Sequence, residues 1–305
     1  MSKSAFIAIV GRANVGKSSF VNYAVGEKVA IVSDKPQTTR TKILGVLTKD
    51  ESQLVFIDTP GLHKPRNALG ENMMKAVGAG LVDVDAAVLM VEAVTRFNFD
   101  PENLPPAEIK LMDELKRRKI PTILAVNKID LLADKSELLS IISAYSRHME
   151  FESVVPFSAK TGDGANILIT ELFKFCKDSV HFFDADTVTD QSERTMICEM
   201  IREKLLHILD NEVPHGIAID LEQIFERDSR DGTPILNVSA VIYCEKESHK
   251  GIIIGKNGSV LKKIGTLARR DIEKYYGTQV SLKLWVKVKE NWRNIQGAIH
   301  GFGLD

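Results

Sequence analysis

The N-terminal part of the chain alternates short apolar runs with amphipathic stretches. AFIAIV (5–10), LVFID (54–58), AAVLMVE (86–92), TILAVN (122–127) and SVVPFS (153–158) are apolar at successive positions rather than at alternate ones. Strands buried on both faces read this way, and they belong to a mostly parallel sheet covered by helices. PAEIKLMDELKRRK (106–119) and GANILITELFKFCK (164–177) supply helices in the same stretch. The pattern predicts an α/β doubly wound domain over residues 1–176.

The rhythm stops near residue 177. DSVHFFDADTVTDQS (178–192) is polar and aperiodic, and 177–191 is expected to be a linker. A helix follows in SERTMICEMIREKLLHILDNE (192–212), with Ile197, Ile201, Leu205, Ile208 and Leu209 on one stripe. GIAIDLEQIFER (216–227) and PILNVSAVIYCE (234–245) read as a hairpin joined by DSRDGT. A helix to about residue 276 carries Leu261, Ile264, Ala268, Ile272 and Tyr275 on one face. In QVSLKLWVKVK (279–289), Leu282, Leu284, Val286 and Val288 alternate with Lys283, Trp285, Lys287 and Lys289, as in a half-buried strand. Trp285 falls among lysines; packing between domains is the preferred reading, and base stacking is the other. Residues 192–305 are thus expected to form a second, smaller α+β domain.

Composition refines this picture. The 305 residues suit about two domains. The net charge of −1 is unevenly spread, because residues 246–293 hold twelve Lys/Arg against four Asp/Glu. That segment carries +8 and the remainder −9, which suggests an anionic partner for the C-terminal domain. Cys176, Cys198 and Cys244 are widely separated, with no C-x-x-C pair, as expected of buried cysteines in a reducing compartment. No apolar run approaches the ~18 residues of a bilayer span, and a cytoplasmic location is expected.

The chemistry lies at the ends of the apolar runs. GRANVGKS (11–18) matches G-x-x-x-x-G-K-[ST] between a strand and a helix, the context a phosphate loop requires. Gly11, Asn14, Val15, Gly16, Lys17, Ser18 and Ser19 are the candidate phosphate-binding residues, with Lys17 for the β/γ-phosphates and Ser18 for Mg²⁺. DTPG (58–61) places Asp58 to hold Mg²⁺ through water and the Gly61 N–H toward a γ-phosphate. NKID (127–130) places Asp130, whose carboxylate can accept from guanine N1–H and N2–H₂. Adenine offers neither donor, so the aspartate discriminates against it. Asn127 and Lys128 precede it. SAK (158–160) adds Ser158, Ala159 and Lys160, with the Ala159 N–H facing guanine O6. All four motifs end strands, where open α/β sheets bind ligands.

IIIGKNGSVLKKI (252–264) also has two glycines around a lysine, but two residues rather than four separate them. It matches the I-G-x-x-G signature of KH domains, where the loop clamps the backbone of four nucleotides. Gly255, Lys256, Asn257 and Gly258 form the loop. Lys262, Lys263, Arg269 and Arg270 make other faces of the next helix basic.

Residues 4–176 resemble the P-loop GTPases, and the chain as a whole resembles the Era family of bacterial GTPases. DTPGLHKPRN (58–67), REKLLHILDNEVPH (202–215) and LKLWVKVKENW (282–292) carry that wider likeness. The resemblance implies GTP and GDP as ligands with Mg²⁺, and no other small-molecule substrate. It implies binding of the 3′ end of small-subunit (16S) ribosomal RNA, a role in maturing the 30S subunit or its precursor, and peripheral inner-membrane association. PQTTRTK (36–42) looks like the first switch. Thr39 is its Mg²⁺ and γ-phosphate ligand by likeness, though the spacing equally permits Thr38. Asn14 resembles a K⁺ ligand of related GTPases, where K⁺ neutralises developing charge. Leu62 stands where Ras-like proteins carry a water-orienting glutamine, so slow intrinsic turnover is expected. Ala13 replaces a usual proline, the loop at 94–106 is longer than the family suggests, and the linker lacks its proline-tyrosine character. The alternative is a regulatory, membrane-associated signalling GTPase whose basic C-terminal domain binds lipid or protein.

Overall fold

The computed structural model describes residues 2–93, 104–132, 134, 136–228 and 232–304, and the chain divides into two compact units. The first comprises Met1–Ala30, Thr39–Pro65 and Asn72–Asp190; the second comprises Ile31–Thr38, Arg66–Glu71 and Gln191–Asp305. Both boundaries expected from composition therefore shift. The stretch 177–190 folds with the first unit, and two short pieces of the N-terminal half group with the second. The extended loop expected at 94–106 lies largely outside the described residues, as do 229–231 of the hairpin turn.

The first unit is built on β1 (Lys3–Val10), α1 (Lys17–Val25), β2 (Ile43–Lys49) and β3 (Ser52–Asp58). There follow α2 (Ala68–Ala79), whose first turn groups with the second unit, β4 (Ala86–Glu92), α3 (Pro106–Arg118) and β5 (Thr122–Asn127). Then come α4 (Ser136–His148), β6 (Ser153–Pro156), α5 (Ala165–Phe173) and β7 (Lys177–Asp178). The sheet order is β2-β3-β1-β4-β5-β6, and the β1–β3, β1–β4, β4–β5 and β5–β6 pairs are parallel. Alternate residues of one strand enter different cores. Ile7 and Ile9 of β1 and Val88 and Met90 of β4 pack on one face. Ala8, Val10, Leu89 and Val91 pack on the other. Burial on both faces is why these strands read as unbroken apolar runs.

The antiparallel edge strand β2 escapes that reading. Gly45 interrupts its run, and a Cβ there would stand 2.6 Å from Val21 Cγ1, so the close approach of α1 requires the glycine. Residues of the expected linker are also held. β7 pairs antiparallel with Lys3 and Ser4, Val46 N–H donates to Val188 O, and Phe182 packs edge-on against Phe6. The buried Gln53 side chain organises the turn, accepting from Phe182 N–H at 2.8 Å and donating to Phe183 O at 2.9 Å.

In the second unit α6 (Glu193–Ile208) is N-capped by Ser192, whose Oγ accepts from Thr195 N–H at 3.2 Å. The antiparallel hairpin β8 (Ala218–Asp228) and β9 (Pro234–Cys244) follows, then α7 (Glu247–Ile254) and α8 (Ser259–Tyr276). β10 (Gln279–Val288) pairs parallel with β9, giving the order β10-β9-β8, and α9 (Gln296–Gly301) is the last helix described. One core joins Ile197, Ile201 and Leu205 of α6, Ile264, Ala268 and Ile272 of α8, and Val238, Ala240 and Ile242 of β9. The segment Ile31–Thr38 lies along α6. Val32 N–H donates to Glu203 Oε1 at 3.1 Å, and the buried Arg202 guanidinium donates to Thr38 O while pairing with Glu199. Trp292 is fully buried with its Nε1–H on Gly216 O at 2.9 Å. Trp285 instead stays 45% exposed.

Candidate functional site

In the first unit the four motifs converge at the C-terminal ends of β1, β3, β5 and β6, around the point where strand order reverses beside β1. The loop after β1 needs its glycines. Gly11 has φ +150° and a Cβ there would stand 2.3 Å from Met90 O. Gly16 has φ +102°, and its Cβ would stand 2.1 Å from Asn127 Nδ2. Asn14 takes the left-handed region at φ +66°. Val15 is buried behind the loop, and Ser19 continues into α1.

Lys17 is almost fully buried, and its Nζ donates to Arg12 O at 2.9 Å and Gly11 O at 3.3 Å. Burial lowers its pKa to about 8 against the pull of Asp58. Ser18 Oγ donates to Asp58 Oδ2 at 2.5 Å and lies 2.9 Å from Thr39 Oγ1. Burial raises the Asp58 pKa to about 6, opposed by the charge of Lys17 and the Ser18 hydrogen bond. Asp58 Oδ1 is buried with no hydrogen-bond partner. An orphaned carboxylate oxygen beside two hydroxyls is a donor set suited to a hard divalent cation such as Mg²⁺. Thr38 is elsewhere, its Oγ1 donating to Lys35 O at 2.6 Å.

Gly61 lies flush on the phosphate loop, since a Cβ there would stand 2.4 Å from Ala13 Cα. Leu62 N–H donates to Gly11 O at 3.1 Å, and the Leu62 side chain joins the apolar cluster behind β4. It offers no group to orient water.

The residues expected to meet the base are held by hydrogen bonds among NKID, SAK and the loop after β1. Asn127 Nδ2 donates to Val15 O at 2.7 Å, while its Oδ1 accepts from Ala159 N–H at 2.9 Å and from Lys128 N–H. The Ala159 amide expected to meet guanine O6 is thus engaged by Asn127. Lys128 Nζ bridges to Asn14 O at 2.7 Å and Glu92 Oε1 at 2.5 Å, so it ties NKID to the phosphate loop. Ser158 Oγ donates to Asp130 Oδ1 at 2.6 Å and leaves that carboxylate at the surface. Lys160 is exposed. The sequence did not single out Arg12, Glu92 or Glu108: Arg12 is a variable position inside the loop, and Glu92 and Glu108 reach it only through folding.

In the second unit, Gly255 (φ +71°), Asn257 (φ +51°) and Gly258 (φ +73°) make the turn between α7 and α8. Lys256 and Asn257 are exposed. An open groove of about 420 Å³ runs beside the turn, lined by Gly258, Leu261, Lys262, Gly265, Thr266, Arg269, Leu282 and Leu284. Of the four basic residues expected on α8, Lys262 and Arg269 line this groove; Lys263 and Arg270 are exposed but do not. The apolar wall from Leu282 and Leu284 comes from β10, and sequence had assigned both leucines to the core alone.

Two family models match the chain. One, described as 50S ribosome-binding GTPase, matches residues 6–128, and one for the KH domain matches residues 212–293. The GTPase Era of Clostridioides difficile (strain 630) is 50% identical over 305 residues, spanning 100% of this chain and 99% of that protein. The GTPase Era of Ruminiclostridium cellulolyticum is 45% identical over 302 residues, spanning 99% and 97%. Among solved structures, Era in complex with MgGDPNP and nucleotides 1506–1542 of 16S ribosomal RNA is similar at a TM-score of 0.92. It is 33% identical and covers 100% of this chain and 99% of its own. An Aquifex aeolicus Era variant bound to GDP·AlF₄⁻ is similar at a TM-score of 0.90 and 33% identity, covering 99% of each.

Proposed function

The chain belongs to the Era family of GTPases, and from that membership we propose a GTP-controlled switch that binds the 3′ end of small-subunit (16S) ribosomal RNA in the 30S subunit or its precursor. The groove beside Gly258 carries this reading. It pairs a glycine turn and two cations, which suit a phosphate backbone, with a leucine wall, which suits unstacked bases. The relative solved with 16S ribosomal RNA supports the choice of RNA.

At the nucleotide site Asp130 accepts from the guanine edge, and Asn127 fixes the NKID, SAK and phosphate loops as one body. Lys17 leaves the carbonyls of Gly11 and Arg12 for the β/γ-phosphates. Ser18, Thr39 and Asp58 would hold Mg²⁺, which supplies charge neutralisation at those phosphates. The 2.9 Å approach of Thr39 to Ser18 favours Thr39 over Thr38 in this role. Asn14 is the proposed K⁺ ligand. Leu62 leaves the attacking water without a side-chain orienter, so turnover by the protein alone is slow.

Fluorescence anisotropy of a labelled 3′-terminal 16S RNA, with a non-hydrolysable GTP analogue or GDP, tests the proposal. Tighter RNA binding in the GTP-analogue state is expected; equal binding in both states would overturn the switch. Anionic phospholipid vesicles form the second arm, and binding to vesicles but not RNA would favour the signalling alternative. Hydrolysis should be faster in KCl than in NaCl, and equal rates would remove Asn14 as a K⁺ ligand.

A further inference from the structure

Glu108, in the first turn of α3, is fully buried. Its Oε1 accepts from Arg12 Nε at 2.6 Å, and its Oε2 accepts from the Tyr145 hydroxyl on α4. Both carboxylate oxygens are thus satisfied. Burial pushes its pKa up, and Tyr145 and Arg12 oppose this. An apolar group of similar volume often serves stability as well as a buried ion pair does, so the pair needs a reason beyond stability.

Arg12 supplies that reason. It follows Gly11 in GRANVGKS, and its carbonyl is the nearer resting acceptor of Lys17. Its backbone forms an isolated parallel bridge with Leu62. Gly61, the residue aimed at the γ-phosphate, rests on Ala13. Residues 11–13 are therefore the bed for both γ-phosphate donors, Lys17 and Gly61. Lys17 serves the β-phosphate as well, so the support that is special to GTP is the one under Gly61.

We propose that Glu108 is a positioning residue for GTP: by holding the Arg12 guanidinium it fixes residues 11–13, and so favours GTP over GDP. The inference rests on reading Gly11–Ser18 as the phosphate loop.

The test uses the full chain and fluorescent GTP and GDP analogues. Glu108→Gln keeps the shape and loses the charge. It should weaken the GTP analogue about tenfold and the GDP analogue less than about threefold, as expected for removing a charge-assisted hydrogen bond. Tyr145→Phe spares the Arg12 pair, and should lower the melting temperature while leaving the GTP/GDP ratio within about twofold of wild type. Arg12→Ala should shift the ratio as Glu108→Gln does, and the double variant should be no weaker than Arg12→Ala alone. An unchanged ratio in Glu108→Gln, or additive losses in the double variant, overturns the proposal. Should Glu108→Gln not fold, equal ratios in Arg12→Ala and Tyr145→Phe overturn it instead. The wild-type titration tests the phosphate-loop reading separately, since a wild-type chain that binds neither analogue refutes that reading itself.

Discussion

Single atoms decide several functions here. Asp130 offers a carboxylate whose Oδ1 is oriented by Ser158, and in the role proposed for it specificity lies in accepting twice from guanine. Asp130→Asn replaces one acceptor by a donor. GTP affinity should fall more than about a hundredfold, with xanthosine triphosphate, which carries an oxygen at C2, gaining in its place; competition of the two triphosphates for a labelled GDP analogue measures this. Gly61→Ala drives a methyl into the Ala13 backbone. Hydrolysis should fall about a hundredfold, the scale of losing one transition-state donor, while GDP affinity changes little; single-turnover assays and GDP titration check both. The cysteines are a third case. Burial pushes the Cys176 thiol up to about 11 and the Cys198 thiol up to about 12, and raises Cys244 as well. At pH 8 the Cys176 and Cys198 thiols are protonated, so iodoacetamide should modify these two at least about a hundredfold more slowly than a free thiol. The rate should climb with pH, which mass spectrometry follows directly.

At the scale of elements, the two glycines of GKNG do different work. A Cβ on Gly255 would stand 2.4 Å from Val260 Cγ2, so that residue is held by the packing of α8 against its own turn. A Cβ on Gly258 meets nothing within 4 Å, and its φ of +73° is one that Asp tolerates. Gly258→Asp should therefore leave the melting temperature near wild type and lower RNA affinity more than about tenfold, through a carboxylate set against phosphate. Gly255→Asp should lower both. Circular dichroism melts beside RNA anisotropy separate the two. Motifs were legible in the sequence because each is contiguous: GRANVGKS, DTPG, NKID, SAK and GKNG all lie where strand ends or helix starts predict. The supports were not, because Arg12 and Glu108 are 96 residues apart and meet only in the fold. β2 was hidden by Gly45, a residue chosen for the approach of Val21 rather than for strand propensity. Only two of the four basic residues read from α8 reach the groove, because helical spacing alone does not say which face meets β10.

Across the whole molecule, the continuous apolar runs foretold the doubly wound unit, and the helix–hairpin–helix–strand order foretold the second. Composition misplaced the boundary, because a polar aperiodic stretch resembles a tether even when its backbone is paired. The strip from Lys177 to Asp190 instead borders the first unit's sheet through β7, Phe182, Val188 and Thr189. That has a practical consequence for anyone who divides the protein. A fragment cut at 176 would strip Phe6 of its aromatic cover and leave the Gln53 amide without its carbonyl partner, an exposed margin of the kind that nucleates self-association. A fragment cut at 190 keeps its own hem. Size-exclusion chromatography of the two should show oligomers growing with concentration for the shorter piece and a single monomer peak for the longer one.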